Sequence, residues 1–69
     1  MPLVHVHMLN GRTPEAKQQL IEEITRVMVE VAGARRERVM VIIDEHSPDA
    51  WGVAGQSLAA ETAATGEPR

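Results

Sequence analysis

The chain has 69 residues, a formal net charge of −3 and no cysteine. This is the length of one small domain, which buries only about 60% of the surface that its unfolded chain exposes. The lack of cysteine excludes disulfides and thiolate metal ligands, two of the usual means of stabilising so small a fold. Because 43% of the residues are apolar and Trp51 is the only aromatic residue, the composition favours self-association.

Charge and hydropathy also argue against two classes of partner. An acidic chain with one aromatic residue lacks the basic patches and stacking rings that bind nucleic acid. No apolar run reaches the roughly 18–20 residues that a membrane span needs. The start of the chain lacks the charged and apolar regions of a signal peptide. We therefore expect a soluble, cytoplasmic protein that binds neither nucleic acid nor membrane.

The first predicted element is a strand over residues 3–9. Its two faces alternate and neither is purely polar, so both are expected to be at least partly covered. Asn10 and Gly11 then predict a turn. Thr13 is typical of a helix N-cap and Pro14 of the first helical position.

A strong helical period predicts a helix from about Pro14 to Ala32. The apolar residues recur at spacings of one and three and form one stripe, which consists of Leu20, Ile21, Ile24, Val27, Met28, Val31 and Ala32. The opposite face is polar and places Glu22 and Arg26 at the stabilising i,i+4 spacing. Gly33 is typical of the residue that follows a helix C-terminus.

A second predicted strand covers residues 39–43, a β-branched run that is apolar on both faces. Strand, helix and strand in this order predict a βαβ unit, with parallel strands and a right-handed crossover. One helix covers only one face of a two-stranded sheet, and two strands are too few for independent stability. Met40 and Ile42 would then meet water in a single chain, so we predict an obligate oligomer.

The remainder of the chain carries weaker signals. Ser47 to Ala50 predicts a turn, and Trp51 to Gly55 predicts a short hairpin or a loop. Beyond Leu58 no period is recognisable. We expect one domain over residues 1–58 and a C-terminal tail over residues 59–69 that frays unless a partner holds it.

Pro2 and Arg12 are the first candidates for chemistry. Removal of Met1 would expose the secondary amine of Pro2. An ordinary α-amino group has a pKa of about 7.7–8.0, which an apolar pocket or a nearby arginine lowers, making a general base near neutral pH. On position alone, Pro2 is more often just the residue after the start codon. Arg12, in a turn, suits bidentate binding of a carboxylate, although an isolated arginine is usually just solvated.

The ordered set of residues resembles the 4-oxalocrotonate tautomerase family over roughly residues 2–58. The segments that carry the resemblance, at matching spacings, are Pro2-Leu3-Val4, Gly11-Arg12-Thr13, Lys17, Leu20-Ile21, Val41-Ile42-Ile43-Asp44-Glu45 and Trp51-Gly52-Val53-Ala54-Gly55. The resemblance implies an α/β fold, a βαβ subunit with a C-terminal hairpin. It also implies a homo-oligomer, a hexamer built as a trimer of dimers, with sites formed across subunits. Cofactor-independent isomerase activity in aromatic hydrocarbon catabolism is a further implication.

In enzymes of this family the proline takes a proton from a dienol and returns it to another carbon, which gives an α,β-unsaturated ketone. The resemblance implies that Pro2 is this base and acid, that Arg12 grips a substrate carboxylate, and that Trp51 makes the pocket apolar. One position departs from the pattern. Met40 stands where the best-known members have a second arginine that polarises the carbonyl oxygen, and losing such a donor commonly costs about 10²–10³-fold in rate. Arg38, two residues earlier and expected on the same strand face, is a candidate substitute.

Two other functions remain open at this point. The same proline, protonated, could serve hydration, dehalogenation or decarboxylation of an unsaturated acid, with Asp44 or Glu45 activating a water molecule. Alternatively, the chain is a non-catalytic subunit of a mixed oligomer, with Met40 as the sign of lost activity.

A metal site is the least favoured interpretation. His5 and His7 form an i,i+2 pair on one strand face, and Asp44, Glu45 and His46 could add ligands. Partly buried strand histidines that satisfy their own hydrogen bonds explain the pattern better. We therefore expect neither a metal nor a cofactor.

Overall fold

The computed structural model of the chain describes residues 2–60, which form a βαβ unit followed by a small hairpin. Strand β1 spans Leu3–Leu9, helix α1 Pro14–Glu30 and strand β2 Met40–His46. Two one-turn 3₁₀ helices cover Arg36–Arg38 and Pro48–Ala50, and the hairpin strands are β3, Gly52–Val53, and β4, Gln56–Ser57. The predicted α/β class is confirmed. Met1 and residues 61–69 of the predicted tail lie outside the described residues.

Strands β1 and β2 are parallel and paired along their whole length. The register runs from Leu3 opposite Met40 to Leu9 opposite His46. At the amino-terminal ends of the two strands, the amino edge of the sheet, the Met40 N–H donates to the Pro2 carbonyl at 3.0 Å. At their carboxyl-terminal ends, the carboxyl edge, the Asn10 N–H donates to the His46 carbonyl at 2.9 Å. Strand β2 therefore extends three residues beyond the predicted end, because its polar last residues pair with β1.

Helix α1 begins where the sequence predicts and ends two residues earlier. Thr13 caps it, since the Ala16 N–H donates to the Thr13 Oγ1 at 3.1 Å. The predicted end at Ala32 is wrong, because regular helix stops at Glu30 and the chain turns towards Gly33, which has a φ of +71°. Only glycine adopts such a left-handed conformation without steric cost.

The helix covers one face of the sheet. The half-buried side chains on that face are Val4, Val6, Met8, Val41 and Ile43. An ion pair fixes the start of the helix to β2, with the Lys17 Nζ 2.7 Å from the Glu45 Oε1. Within residues 2–60 no large side chain is fully buried, so a single chain has an incomplete core.

The other face of the sheet is open, as predicted. Leu3 is 56%, Met40 46% and Ile42 44% exposed, and Val31, just after the helix, is 82% exposed. Exposed apolar side chains concentrated on one sheet face indicate a surface that associates. The oligomer itself stays a prediction.

The C-terminal segment is a hairpin, which decides between the two structures left open for Trp51 to Gly55. Strands β3 and β4 are antiparallel, with Val53 opposite Gln56. The two-residue loop between them has positive φ at both positions, +54° at Ala54 and +82° at Gly55, as in a type I′ turn. No helix among residues 2–60 is long and apolar enough to cross a membrane.

Candidate active site

The candidate residues lie at opposite edges of the sheet. Pro2 precedes β1 at the amino edge, whereas Arg12 and Trp51 follow β1 and β2 at the carboxyl edge. Strands rise about 3.3 Å per residue, so the seven steps from Pro2 to Leu9 cover roughly 23 Å. A single chain therefore cannot bring Pro2 and Arg12 to one small substrate.

Pro2 is half-buried and lies beside Met40 at the start of the sheet. Its carbonyl accepts the Met40 N–H at 3.0 Å, and the next register pair joins Leu3 to Met40. The immediate neighbours of Pro2 in the sheet are thus apolar.

Arg12 is exposed in the turn between β1 and α1. Its Nη1 donates to the Leu9 carbonyl at 3.1 Å, and Gly11 next to it has a φ of +116°. Arg12 forms no ion pair with any residue among 2–60. Its remaining N–H groups are therefore available to an anion from outside the chain.

Trp51 follows the second 3₁₀ helix and is anchored at its backbone, where the Leu58 N–H donates to its carbonyl at 2.9 Å. The indole meets His46 edge-to-face, with ring centroids 5.6 Å apart and an interplanar angle of 85°. Both rings line an open cleft of about 380 Å³ at the carboxyl edge, whose lining residues are His7, His46, Ala50, Trp51 and Gly52.

Histidines and one carboxylate form a connected cluster on the open face of the sheet. The His5 Nε2 lies 2.5 Å from the Asp44 Oδ2, and the His7 Nδ1 lies 3.0 Å from the His46 Nε2. The rings of His5 and His7 stack with centroids 4.3 Å apart. The hydrogen bond with His5 lowers the pKa of the Asp44 carboxyl below its ordinary 3.8, so that Asp44 is a carboxylate near neutral pH.

This cluster confirms that the strand histidines satisfy hydrogen bonds with one another and with Asp44. The expectation that they are partly buried is wrong for His5 and His7, both of which are exposed in the chain. Potential ligand atoms of His5, His7 and Asp44 lie within 4.8 Å of one another. The sequence indicates these residues as a group, but the contact of His46 with both His7 and Trp51 is not predictable from it, because the strand register sets that contact.

Arg38 is not on the strand face with Met40, and that prediction is wrong. It ends the first 3₁₀ helix, in which the Arg38 N–H donates to the Arg35 carbonyl at 2.9 Å. The chain is turned rather than extended there, so the alternation of a strand does not reach Arg38. Its side chain is exposed near the amino edge, and the structure leaves Met40 without a basic neighbour on its own strand.

Comparisons with known proteins agree with this architecture. The family described as "Tautomerase enzyme" matches residues 2–61. A 2-hydroxymuconate tautomerase of Bacillus subtilis is 45% identical over 58 residues, which cover 84% of this chain and 94% of that protein. A 2-hydroxymuconate tautomerase of Comamonas testosteroni is 42% identical over 57 residues, 83% of this chain and 90% of that protein.

A solved structure shows the same fold. TomN, described as a 4-oxalocrotonate tautomerase homologue in the tomaymycin biosynthetic pathway, superposes with a TM-score of 0.85 at 38% identity. The match covers 96% of this chain and all of TomN. The βαβ unit with its hairpin is therefore that of a small tautomerase-type isomerase. The chain belongs to the 4-oxalocrotonate tautomerase family.

Proposed function

We propose that the protein is a cofactor-independent tautomerase that converts a small 2-hydroxydienoate, or a related enol acid, to its keto form. The observation that carries the proposal is the placement of Pro2. It stands at the head of β1, beside apolar neighbours, in a chain whose family match begins at this residue. With Met1 removed, its nitrogen is a secondary amine held in a defined direction by the ring.

The proposed reaction moves one proton from the hydroxyl group to a carbon of the same substrate molecule and leaves the substrate's composition unchanged. The neutral Pro2 amine takes the hydroxyl proton of the dienol, and the electron pair of that O–H bond forms the carbonyl. The conjugated double bonds shift, and the distal carbon takes the proton back from the prolinium. The amine is neutral again at the end, as a general base and acid must be.

The proposed site is formed by two copies of the chain. Because Pro2 lies roughly 23 Å of strand away from Leu9, the Pro2 of one copy must meet the Arg12 and Trp51 of another. Arg12 has N–H groups available for a substrate carboxylate, and Trp51 walls the cleft beside it. The open sheet face supplies the apolar surface for association, and we propose a homo-hexamer of three dimers.

The alternative chemistry of hydration, dehalogenation or decarboxylation gains no support from the carboxylates considered for it. Asp44 is hydrogen-bonded to His5, and Glu45 is paired with Lys17. Each of the two carboxylates therefore has one oxygen engaged within its own chain. The non-catalytic subunit is an outcome of the experiment that follows.

Activity and intact mass test the proposal together. The wild-type protein should lack the mass of Met1 and turn over 2-hydroxymuconate or phenylenolpyruvate. Pro2→Ala should lower kcat/KM by about 10²–10⁴-fold, the usual contribution of a general acid–base group. Pro14→Ala is the matched control and should change kcat/KM little, since Pro14 only begins the helix. Retained Met1 without turnover would identify a scaffold subunit instead, and turnover that does not depend on Pro2 would contradict the proline mechanism.

A further inference from the structure

We infer that His46 is a substrate-contacting hydrogen-bond donor that acts on the hydroxyl or keto oxygen of the substrate, the task for which Met40 has no suitable group. The inference rests on the proposed function and deepens it. It concerns a residue that the sequence marks only as a possible metal ligand and that the family resemblance does not mark as part of the site.

The position of His46 supports the inference first. It is the last residue of β2, half-buried, and it lines the same cleft of about 380 Å³ as Trp51. Ala50 and Gly52 offer no polar side chain there, so the polar groups of the cleft lining are the rings of His7 and His46 and the indole N–H of Trp51. An apolar pocket with few polar groups is the usual design of a small-molecule site, and those groups orient the ligand.

The ring of His46 is held in place on two sides, and one of its two nitrogens is available to a ligand. Its Nε2 is engaged with the His7 Nδ1 at 3.0 Å, and its edge contact with Trp51 fixes the other side. Its Nδ1 has no hydrogen-bond partner among residues 2–60. When His7 donates the shared proton, a neutral His46 carries its own proton on Nδ1 and becomes a donor towards a ligand.

The chemistry of the reaction needs such a donor. Negative charge develops on the substrate oxygen as Pro2 takes its proton, and a preorganised N–H group stabilises that charge. Met40 has only a thioether, and it lies at the amino edge of β2, about 20 Å of strand from His46. In the proposed site formed by two copies of the chain, one copy would therefore supply Pro2 and the other would supply His46 together with Arg12 and Trp51.

A ligand pair that differs only in the oxygen tests the contact without turnover. 2-Oxoadipate carries the keto oxygen and adipate lacks it, while both keep the two carboxylates. Isothermal titration should show the wild-type protein binding 2-oxoadipate about tenfold more tightly, the upper range for one neutral hydrogen bond. His46→Leu should abolish this preference. His5→Leu is the matched control, a histidine on the same sheet face outside the cleft lining, and should keep it.

Kinetics give the second readout. His46→Leu should lower kcat/KM by about 10²–10³-fold, mainly through kcat, and His46→Gln, which can still donate, should recover part of the loss. His5→Leu should stay within about threefold of the wild type. The inference is overturned if the wild-type protein binds the two diacids with equal dissociation constants or binds neither of them. It is also overturned if His46→Leu keeps the wild-type preference for 2-oxoadipate. Failure of the proposed function looks different, because the wild type would then show no turnover, or Pro2→Ala would leave turnover intact, whatever the diacids show.

Discussion

Mixing two inactive variants should restore activity if Pro2 and Arg12 of one site come from different copies of the chain. Strand β1 separates them by roughly 23 Å within one chain, so Pro2→Ala and Arg12→Ala damage different members of each site. In randomly mixed oligomers, half of the Pro2 positions and half of the neighbouring Arg12 positions are wild type. Roughly a quarter of the sites are then intact.

The assay is co-refolding of the two variants in equal amounts, followed by measurement of kcat/KM on 2-hydroxymuconate per chain. The expected recovery is about a quarter of the wild-type value, against near-background activity for each variant alone. Arg12→Ala mixed with Trp51→Ala is the control, because both residues lie at the same edge and no mixed site would contain both intact. Mixed oligomers that native mass spectrometry detects, but that remain inactive in the first mixture, would refute the composite site.

Three further predictions concern stability and assembly. Thr13→Ala removes the acceptor of the Ala16 N–H and should lower the free energy of unfolding by about 1 kcal/mol in urea titrations, whereas Thr13→Ser should not. The pKa of Asp44 is lowered by its hydrogen bond with His5, so the stabilisation from this bond is fully present above the ordinary pKa of 3.8 and is lost as the pH falls through the lower pKa of the folded state. Asp44→Asn should therefore remove this part of the pH dependence of the free energy of unfolding. An unchanged pH profile in Asp44→Asn would contradict the prediction. Ile42→Asp places a charge on the open sheet face and should yield smaller species in analytical ultracentrifugation, while a wild-type sedimentation profile would show that this face is not an interface.

The sequence was sufficient for the elements that depend on local chemistry. Thr13 and Pro14 mark the start of the helix and Gly33 marks the turn after it, through capping and backbone conformation, and those signals need no knowledge of the rest of the fold. The open sheet face was also predictable, because one helix cannot cover two faces. Family membership followed from the ordered spacing of short segments.

The remainder depended on contacts between distant segments. The polar end of β2 gives no strand signal by itself, and it becomes a strand only because β1 supplies hydrogen-bond partners. Arg38 was misplaced because strand alternation was extended into a turn that forms a 3₁₀ helix. The link from His7 through His46 to Trp51 required the strand register and the path of the second 3₁₀ helix, neither of which a local pattern specifies.

The proposed function requires that the free amine of Pro2 perform the proton transfer. The most direct test compares kcat/KM of the processed protein with that of a protein that retains Met1, prepared with methionine aminopeptidase inhibited, since the two differ only in whether the proline nitrogen is an amine or an amide. Retention of Met1 should lower kcat/KM by about 10²–10⁴-fold with an unchanged oligomeric state. Equal turnover by the two forms would contradict it.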